Sequence, residues 1–293
     1  MFREDLLQDQ RILITGGGSG LGAAMAMHFA GLGASLVLCG RREDMLRKTA
    51  EDVRARHPSS QASIETHVCD LRQAENVEAM FGQIWQTGPL TALVNNAAAT
   101  FIAQTDKLSF KAADAILAPT LHGAMYCTLA AGRRWIEAQQ GGCVLSILST
   151  SVRTGRAFTV PSAMAKSAVQ AMTRSLAVEW GPKGVRLVAI APGPFPTAGA
   201  TAQLMPTQRL QAQSERQTGA PQGGLSAARN PLGRVGEPSE LANLAAYLLS
   251  PQASYINGET IAIDGGAHLR SSGTEDLLQW SSSDWQAHRD KRK

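Results

Sequence analysis

Tyrosine is scarce in this chain. There are three among 293 residues, and aromatic residues make up only 5%. Any chemistry that needs a phenol as its acid must draw on Tyr126, Tyr247 or Tyr255. Cysteine is scarce too. Cys39, Cys69, Cys127 and Cys143 form no CxxC pair and no disulfide-like cluster, so buried reduced thiols are expected. No apolar run approaches the ~18 residues of a membrane span, and the first ten residues hold no apolar signal core. Dense positive charge is confined to Arg289–Lys293, which argues against nucleic acid as a partner. That same terminus is not a peroxisomal signal of the SKL type. With no leader, span or metal-ligand spacing in view, the expectation is a soluble cytoplasmic protein without metal.

What is present points to a well-buried globular chain. Hydrophobic residues make up 44% and charged residues 18%, and the length suits one large α/β domain. The formal charge of +4 would suit an anionic cofactor or substrate. Arg11 to Ile14 reads as a short apolar strand. It runs into Thr15-Gly16-Gly17-Gly18-Ser19-Gly20-Leu21-Gly22, then a helix with Met25, Phe29 and Leu32 on one face. Strand, glycine-rich turn and helix, in that order, form a phosphate cradle. The glycines let the backbone approach a pyrophosphate, and the helix start supplies N–H groups and positive dipole.

A second strand, Ser35 to Cys39, ends in Gly40-Arg41-Arg42. A reader of the ribose 2′-hydroxyl would place an acid there. Two guanidiniums suit a 2′-phosphate instead, so NADP(H) is favoured over NAD(H). Val77, Met80, Phe81, Ile84 and Trp85 follow the helical period and read as a sheet-facing stripe. Repeated strand–helix alternation with nearly continuous apolar strands predicts a three-layer, doubly wound parallel sheet. Ala112 to Gln140 reads as one long helix, kinked where Pro119 interrupts it. The stretch 197–230 reads as a substrate lid, and the serine-rich tail 271–293 as a loose appendage whose Trp280 and Trp285 could anchor on a neighbouring subunit. The domain boundary is set at 1–270.

With these residues in hand, the chain resembles the short-chain dehydrogenase/reductase family from Leu6 to His268. The marks are Thr15-Gly16 with Gly20 and Gly22, Asp70, Asn95-Asn96-Ala97, Ser149, Lys166, Pro192-Gly193, Thr197 and Asp264-Gly265-Gly266. Within that family it is most similar to the 2,4-dienoyl-CoA reductases. The resemblance implies a single Rossmann domain and a homotetramer or dimer. It also implies a dinucleotide site built from Gly16, Ser19, Gly20, Leu21, Gly22, Arg41, Arg42, Asp70, Leu71, Asn96, Ala97, Lys166, Pro192, Gly193 and Thr197. Lys166 matches the lysine that grips the nicotinamide ribose, and Ser149 the serine that orients the substrate.

The chain departs from the family at the chemistry. Most members carry a tyrosine four residues before the lysine; Ser162 stands there. The dienoyl reductases carry theirs fifteen residues before it; Ser151 stands there. Their active-site asparagine is matched by His122. A serine hydroxyl is a poor acid for reducing a ketone. Conjugate reduction of a thioester asks only that enolate charge be stabilised, which hydrogen-bond donors can do. The reading is therefore an NADP(H)-dependent reductase of an unsaturated acyl-CoA, with Lys166, Ser149, Ser162, Ser151 and His122 as catalytic candidates. Arg153 is a candidate for meeting a CoA or carboxylate charge. Two alternatives stay open: a carbonyl or alcohol oxidoreductase with His122 as substitute acid, and a nucleotide-binding homologue of weak activity.

Overall fold

A computed structural model describes residues 3–58, 63–197, 230–270, 277 and 280–290. Seven parallel strands form one sheet in the order β3-β2-β1-β4-β5-β6-β7. They are β1 (Arg11–Thr15), β2 (Ser35–Gly40), β3 (Ile64–Val68), β4 (Ala92–Asn95), β5 (Gly142–Ile147), β6 (Val185–Pro192) and β7 (Thr260–Ile263). The five central strands are nearly continuous runs of buried residues, as a sheet covered on both faces requires. The edge strands β3 and β7 are mostly half-buried.

The helices are α1 (Gly20–Gly31), α2 (Glu43–Arg56), α3 (Ala74–Thr87), α4 (Phe110–Leu117), α5 (Gly123–Glu137), α6 (Ser151–Thr154), α7 (Val160–Trp180), α8 (Pro238–Leu249) and α9 (Ser282–Asp290). On one face α1 and α8 close a core through Met25, Phe29, Leu241, Ala245 and Leu248. On the other, α3, α5 and α7 contribute Val77, Phe81, Ile84, Trp135 and Trp180. Trp85 is only partly buried, stacking on Phe81 at 5.8 Å with the Arg134 guanidinium 5.6 Å from its ring. All four cysteines are buried free thiols, with their titration pushed upward by burial.

Three expectations need correction or limit. The long helix is not one kinked rod. It is α4 and α5 joined by a single wide π turn, Ala118–His122, and the backbone stays helical through it. Pro119 lacks the N–H that an ordinary turn would use, and widening the turn accommodates its ring without a break. The tail is not wholly loose: Ser282–Asp290 is helical, and Trp280, Trp285 and His288 pack edge to face, 4.9 to 6.3 Å apart. The lid expected over 197–230 lies outside the described residues, apart from Thr197 and Asn230.

Because every strand points the same way, the loops after β1, β2, β3, β4, β5 and β6 all emerge at one edge of the sheet. The order reverses between β1 and β4, which opens a crevice at that edge.

Candidate active site

The turn between β1 and α1 is a cradle that side chains would fill. Gly16 and Gly20 take left-handed φ of 67° and 56°, and a Cβ on Gly22 would stand 2.3 Å from the Gly16 carbonyl oxygen. Glycine is required at this pinch by the close approach of the chain to itself. The turn is pinned from beneath by Thr15, 1% exposed, one of the residues that mark the family resemblance. Its hydroxyl donates to the Val94 carbonyl at 3.1 Å and accepts from the Asn96 and Ala97 amides at 2.9 and 3.0 Å. The Asn96 side chain returns a bond to the Thr15 carbonyl at 2.9 Å. The glycine turn and the Asn95-Asn96-Ala97 loop are thus one rigid unit.

Ser19 starts α1, and its side chain caps no backbone N–H there. Its hydroxyl accepts from Arg42 at 3.2 Å. Arg42 and Arg41 are exposed at the end of β2, so cation and hydroxyl face the cradle together. Asp70 is engaged by Arg72, whose Nε donates to Oδ1 at 2.9 Å. That hydrogen bond, with smaller help from the Arg41 charge, holds the carboxyl below its ordinary range. Leu71 is buried behind it, against Gly123 at the start of α5. Thr197 lies over Gly20, with its hydroxyl oxygen 3.5 Å from where a Cβ would be. Glycines without room for side chains, unspent N–H groups at the start of α1 and a paired arginine and serine fit a dinucleotide phosphate.

The candidate catalytic serines and lysine gather at the end of β5 and on α7. Ser149 Oγ accepts from the Ser151 amide at 3.2 Å and from the Ser151 hydroxyl at 3.1 Å. With two donors already on its oxygen, Ser149 keeps its own O–H for a third partner. Lys166, 8% exposed, is a full helical turn past Ser162 on α7, and its ammonium donates to the Ile147 carbonyl at the end of β5. Burial lowers the lysine to about 8. Ser162 shares that face of α7 and is half-buried, and its hydroxyl has no hydrogen-bond partner among the described residues. A small cluster of Leu121, Leu148, Val152 and Val169 packs the π turn, the serine loop and α7 into one patch.

His122 closes the π turn and is exposed, with its ring 6.1 Å from that of Tyr126. The other two tyrosines are elsewhere: Tyr247 packs on α8 and Tyr255 is wholly exposed before β7. Thr120, 1% exposed, is a residue the sequence reading passed over. Its hydroxyl accepts from the Ala99 amide at 3.0 Å and so ties the π turn to the loop after β4. Arg153 does not reach into the pocket for an anion. Its guanidinium turns away to the Thr260 carbonyl, 3.2 Å, and to His268 Nε2, 3.1 Å. Pro192 and Gly193 end β6 and press on Asp264, where a Cβ on Gly193 would stand 2.6 Å from the Asp264 Cβ. Among the described residues no group of His, Cys, Asp and Glu could hold a metal ion, and no helix is long and apolar enough to cross a membrane.

Comparison with known proteins agrees with this geometry. The family model described as Enoyl-(Acyl carrier protein) reductase matches residues 16–268. A Caenorhabditis elegans protein named as an uncharacterized oxidoreductase is 39% identical over 94% of this chain and 85% of its own length. A Bacillus subtilis (strain 168) protein named Probable 2,4-dienoyl-CoA reductase, (2E)-enoyl-CoA-producing, is 37% identical over 90% of this chain and 98% of its own. A short chain dehydrogenase from Bacillus anthracis, solved by crystallography, superposes with a TM-score of 0.79 at 34% identity, covering 91% of this chain and all of that one. Fold, cradle, lysine and matched length converge, and the chain belongs to the short-chain dehydrogenase/reductase family of oxidoreductases.

Proposed function

We propose that this protein is an NADP(H)-dependent reductase of an unsaturated acyl-CoA thioester, of the 2,4-dienoyl-CoA type. One observation carries the proposal: Ser149 accepts two hydrogen bonds from Ser151, just past the Ile147 carbonyl that the buried Lys166 holds, with serines where the family's tyrosines stand. This donor set suits charge on a thioester oxygen better than proton delivery to an alkoxide.

NADPH, when bound, supplies hydride to a carbon of the substrate. The chain's residues do the rest. The glycine turn and the start of α1 hold the pyrophosphate, while Arg42, Arg41 and Ser19 meet the 2′-phosphate. Lys166 holds the nicotinamide ribose hydroxyls and lends its charge to the pocket. Ser149 donates its free O–H to the thioester oxygen as enolate charge develops, and Ser151 strengthens that donor by bonding to its oxygen. Ser162, unpartnered on the same helix face as Lys166, is a further donor. His122, exposed on the π turn, is the candidate to return a proton to carbon. The exposed apolar side chains Val178, Tyr255 and Leu269 are consistent with a homo-oligomer, dimer or tetramer.

NADPH oxidation measured with 2,4-dienoyl-CoA, enoyl-CoA and a panel of ketones tests the reading. Turnover of the dienoyl thioester with NADPH well above NADH is expected. Turnover of ketones alone would overturn it, as would tight NADPH binding with no turnover of any substrate.

A further inference from the structure

Three residues outside that scheme form a connected array between the serine loop and the C-terminal turn. Arg153 Nη1 lies 3.1 Å from His268 Nε2, and His268 Nδ1 lies 2.8 Å from Asp264 Oδ2. A guanidinium can only donate. His268 Nε2 must therefore accept, and the ring proton sits on Nδ1, where it donates to the carboxylate. The array thus fixes a neutral imidazole in one tautomer. The side chains of His268 and Asp264 are 11% and 2% exposed. Asp264 also accepts from the Gly266 and His268 amides at 3.0 and 2.7 Å, which anchors the far end in backbone.

The near end lies in the active site. α6 is one turn long, Ser151–Thr154, and Gly155 follows it at φ 66°. An isolated turn of this length does not hold itself. Among the described residues, Arg153 supplies the only side-chain hydrogen bonds from residues 149–157 to a distant element: His268 and the Thr260 carbonyl. Thr260 is bonded in turn to Gln170 of α7, four residues past Lys166. Asp264 backs the Gly193 turn, whose amide bonds to the Ile263 carbonyl at 3.0 Å. One array therefore touches the serine loop, the lysine helix and the turn after β6.

We propose that Arg153, held by neutral His268 and Asp264, is a positioning residue that fixes the Ser149–Ser151 pair against the substrate. This rests on the reading of Ser149 as the thioester donor. The two histidine nitrogens can be tested separately. A glutamine at this position brings its amide oxygen to the Nε2 place, towards Arg153. An asparagine reaches only the Nδ1 place, towards Asp264.

The test compares full-length Arg153→Ala, His268→Ala, His268→Gln and His268→Asn. The readouts are kcat, KM and NADPH affinity, and backbone hydrogen exchange across residues 149–156. Arg153→Ala, His268→Ala and His268→Asn should each lower kcat about tenfold or more, with NADPH affinity within about twofold, because a loosened loop misplaces the donor. The same variants should speed exchange of the Val152, Arg153 and Gly155 amides. His268→Gln should restore both. Unchanged exchange in Arg153→Ala overturns the proposal whatever the rates do, and so does rescue by asparagine but not by glutamine. Should the unaltered protein reduce no dienoyl thioester, the proposed function falls on that result alone, and the exchange data still decide for or against the array.

Discussion

The turn after β1 and the loop after β5 open at the same edge of the sheet, but they are built on different plans. The first is held by near-backbone geometry. Two glycines take left-handed φ, a third admits no Cβ, and Thr15 and Asn96 lock the turn to its neighbouring loop through bonds of 2.9 to 3.1 Å. The second is held by side chains from distant parts of the chain. Ser151 bonds to Ser149, the buried Lys166 bonds to the Ile147 carbonyl at the end of the preceding strand, and Arg153 ties the loop to residues more than a hundred positions away. The cofactor region keeps the glycines and the Asn95-Asn96-Ala97 loop on which the family resemblance rests. The chemical region departs from it, with serines where phenols are expected. A backbone-built cradle leaves few substitutions open, whereas a loop tethered by side chains can exchange its reactive groups while keeping its shape.

Breaking the chemical region should have the largest effects. Lys166→Met should lower turnover by at least about 10²–10³-fold, since in the proposed mechanism it removes the charge that serves both ribose and pocket. The same change should raise the thermal midpoint of the cofactor-free protein, because a buried ammonium is disfavoured by desolvation. A fall in that midpoint would show that the Ile147 bond outweighs burial. Ser149→Ala comes next. Its kcat should drop about 10²–10³-fold with NADPH affinity unchanged, as for loss of one oxyanion donor, and steady-state kinetics with a separate NADPH titration will separate the two.

The cofactor region should respond by affinity instead. Arg42→Ala should weaken NADPH by about 10–100-fold, as for loss of a charge-assisted bond, and leave NADH nearly untouched; fluorescence titration with both coenzymes measures the ratio. Equal losses for the two coenzymes would remove the 2′-phosphate role.

Two pH effects sharpen the contrast further. Burial lowers Lys166 to about 8, so kcat/KM should fall as pH rises through about 8 and the ammonium deprotonates. Outside the pocket, the Arg234 guanidinium and the Glu237 amide hold Glu240 at about 2. With the folded value depressed, its contribution is present above the ordinary glutamate range and disappears as pH falls towards about 2. Glu240 is 38% exposed, so solvent screens the pair, and Glu240→Gln should lower the midpoint at pH 7 only slightly and not at pH 2, by calorimetry.

The strand–helix alternation, the glycine turn and the exposed Arg41-Arg42 pair were legible because each is a local pattern, whereas Ser149 and Lys166 stood out only through the family resemblance. The inward faces of α1 and α3 followed from helical period alone, except that Trp85 is only partly buried. The π turn was not legible: Pro119 announces a disturbance, but whether it bends or widens depends on how α4 and α5 seat on their neighbours. Thr15 and Thr120 gave no periodic signal, because a hydroxyl that bridges two loops is defined by the loops it bridges. Arg153 gave the wrong signal. A cation near a catalytic loop suggests an anion, and its true partners, Thr260 and His268, are far along the chain.

The sequence by itself determined the architecture and the cofactor cradle, because hydrophobic period and glycine stereochemistry act over a few residues and need no distant partner. Only the tertiary structure decided the direction of Arg153, the tautomer of His268 and the free hydrogen of Ser149. Each of these depends on which donors and acceptors meet when strands remote in sequence become neighbours in the sheet.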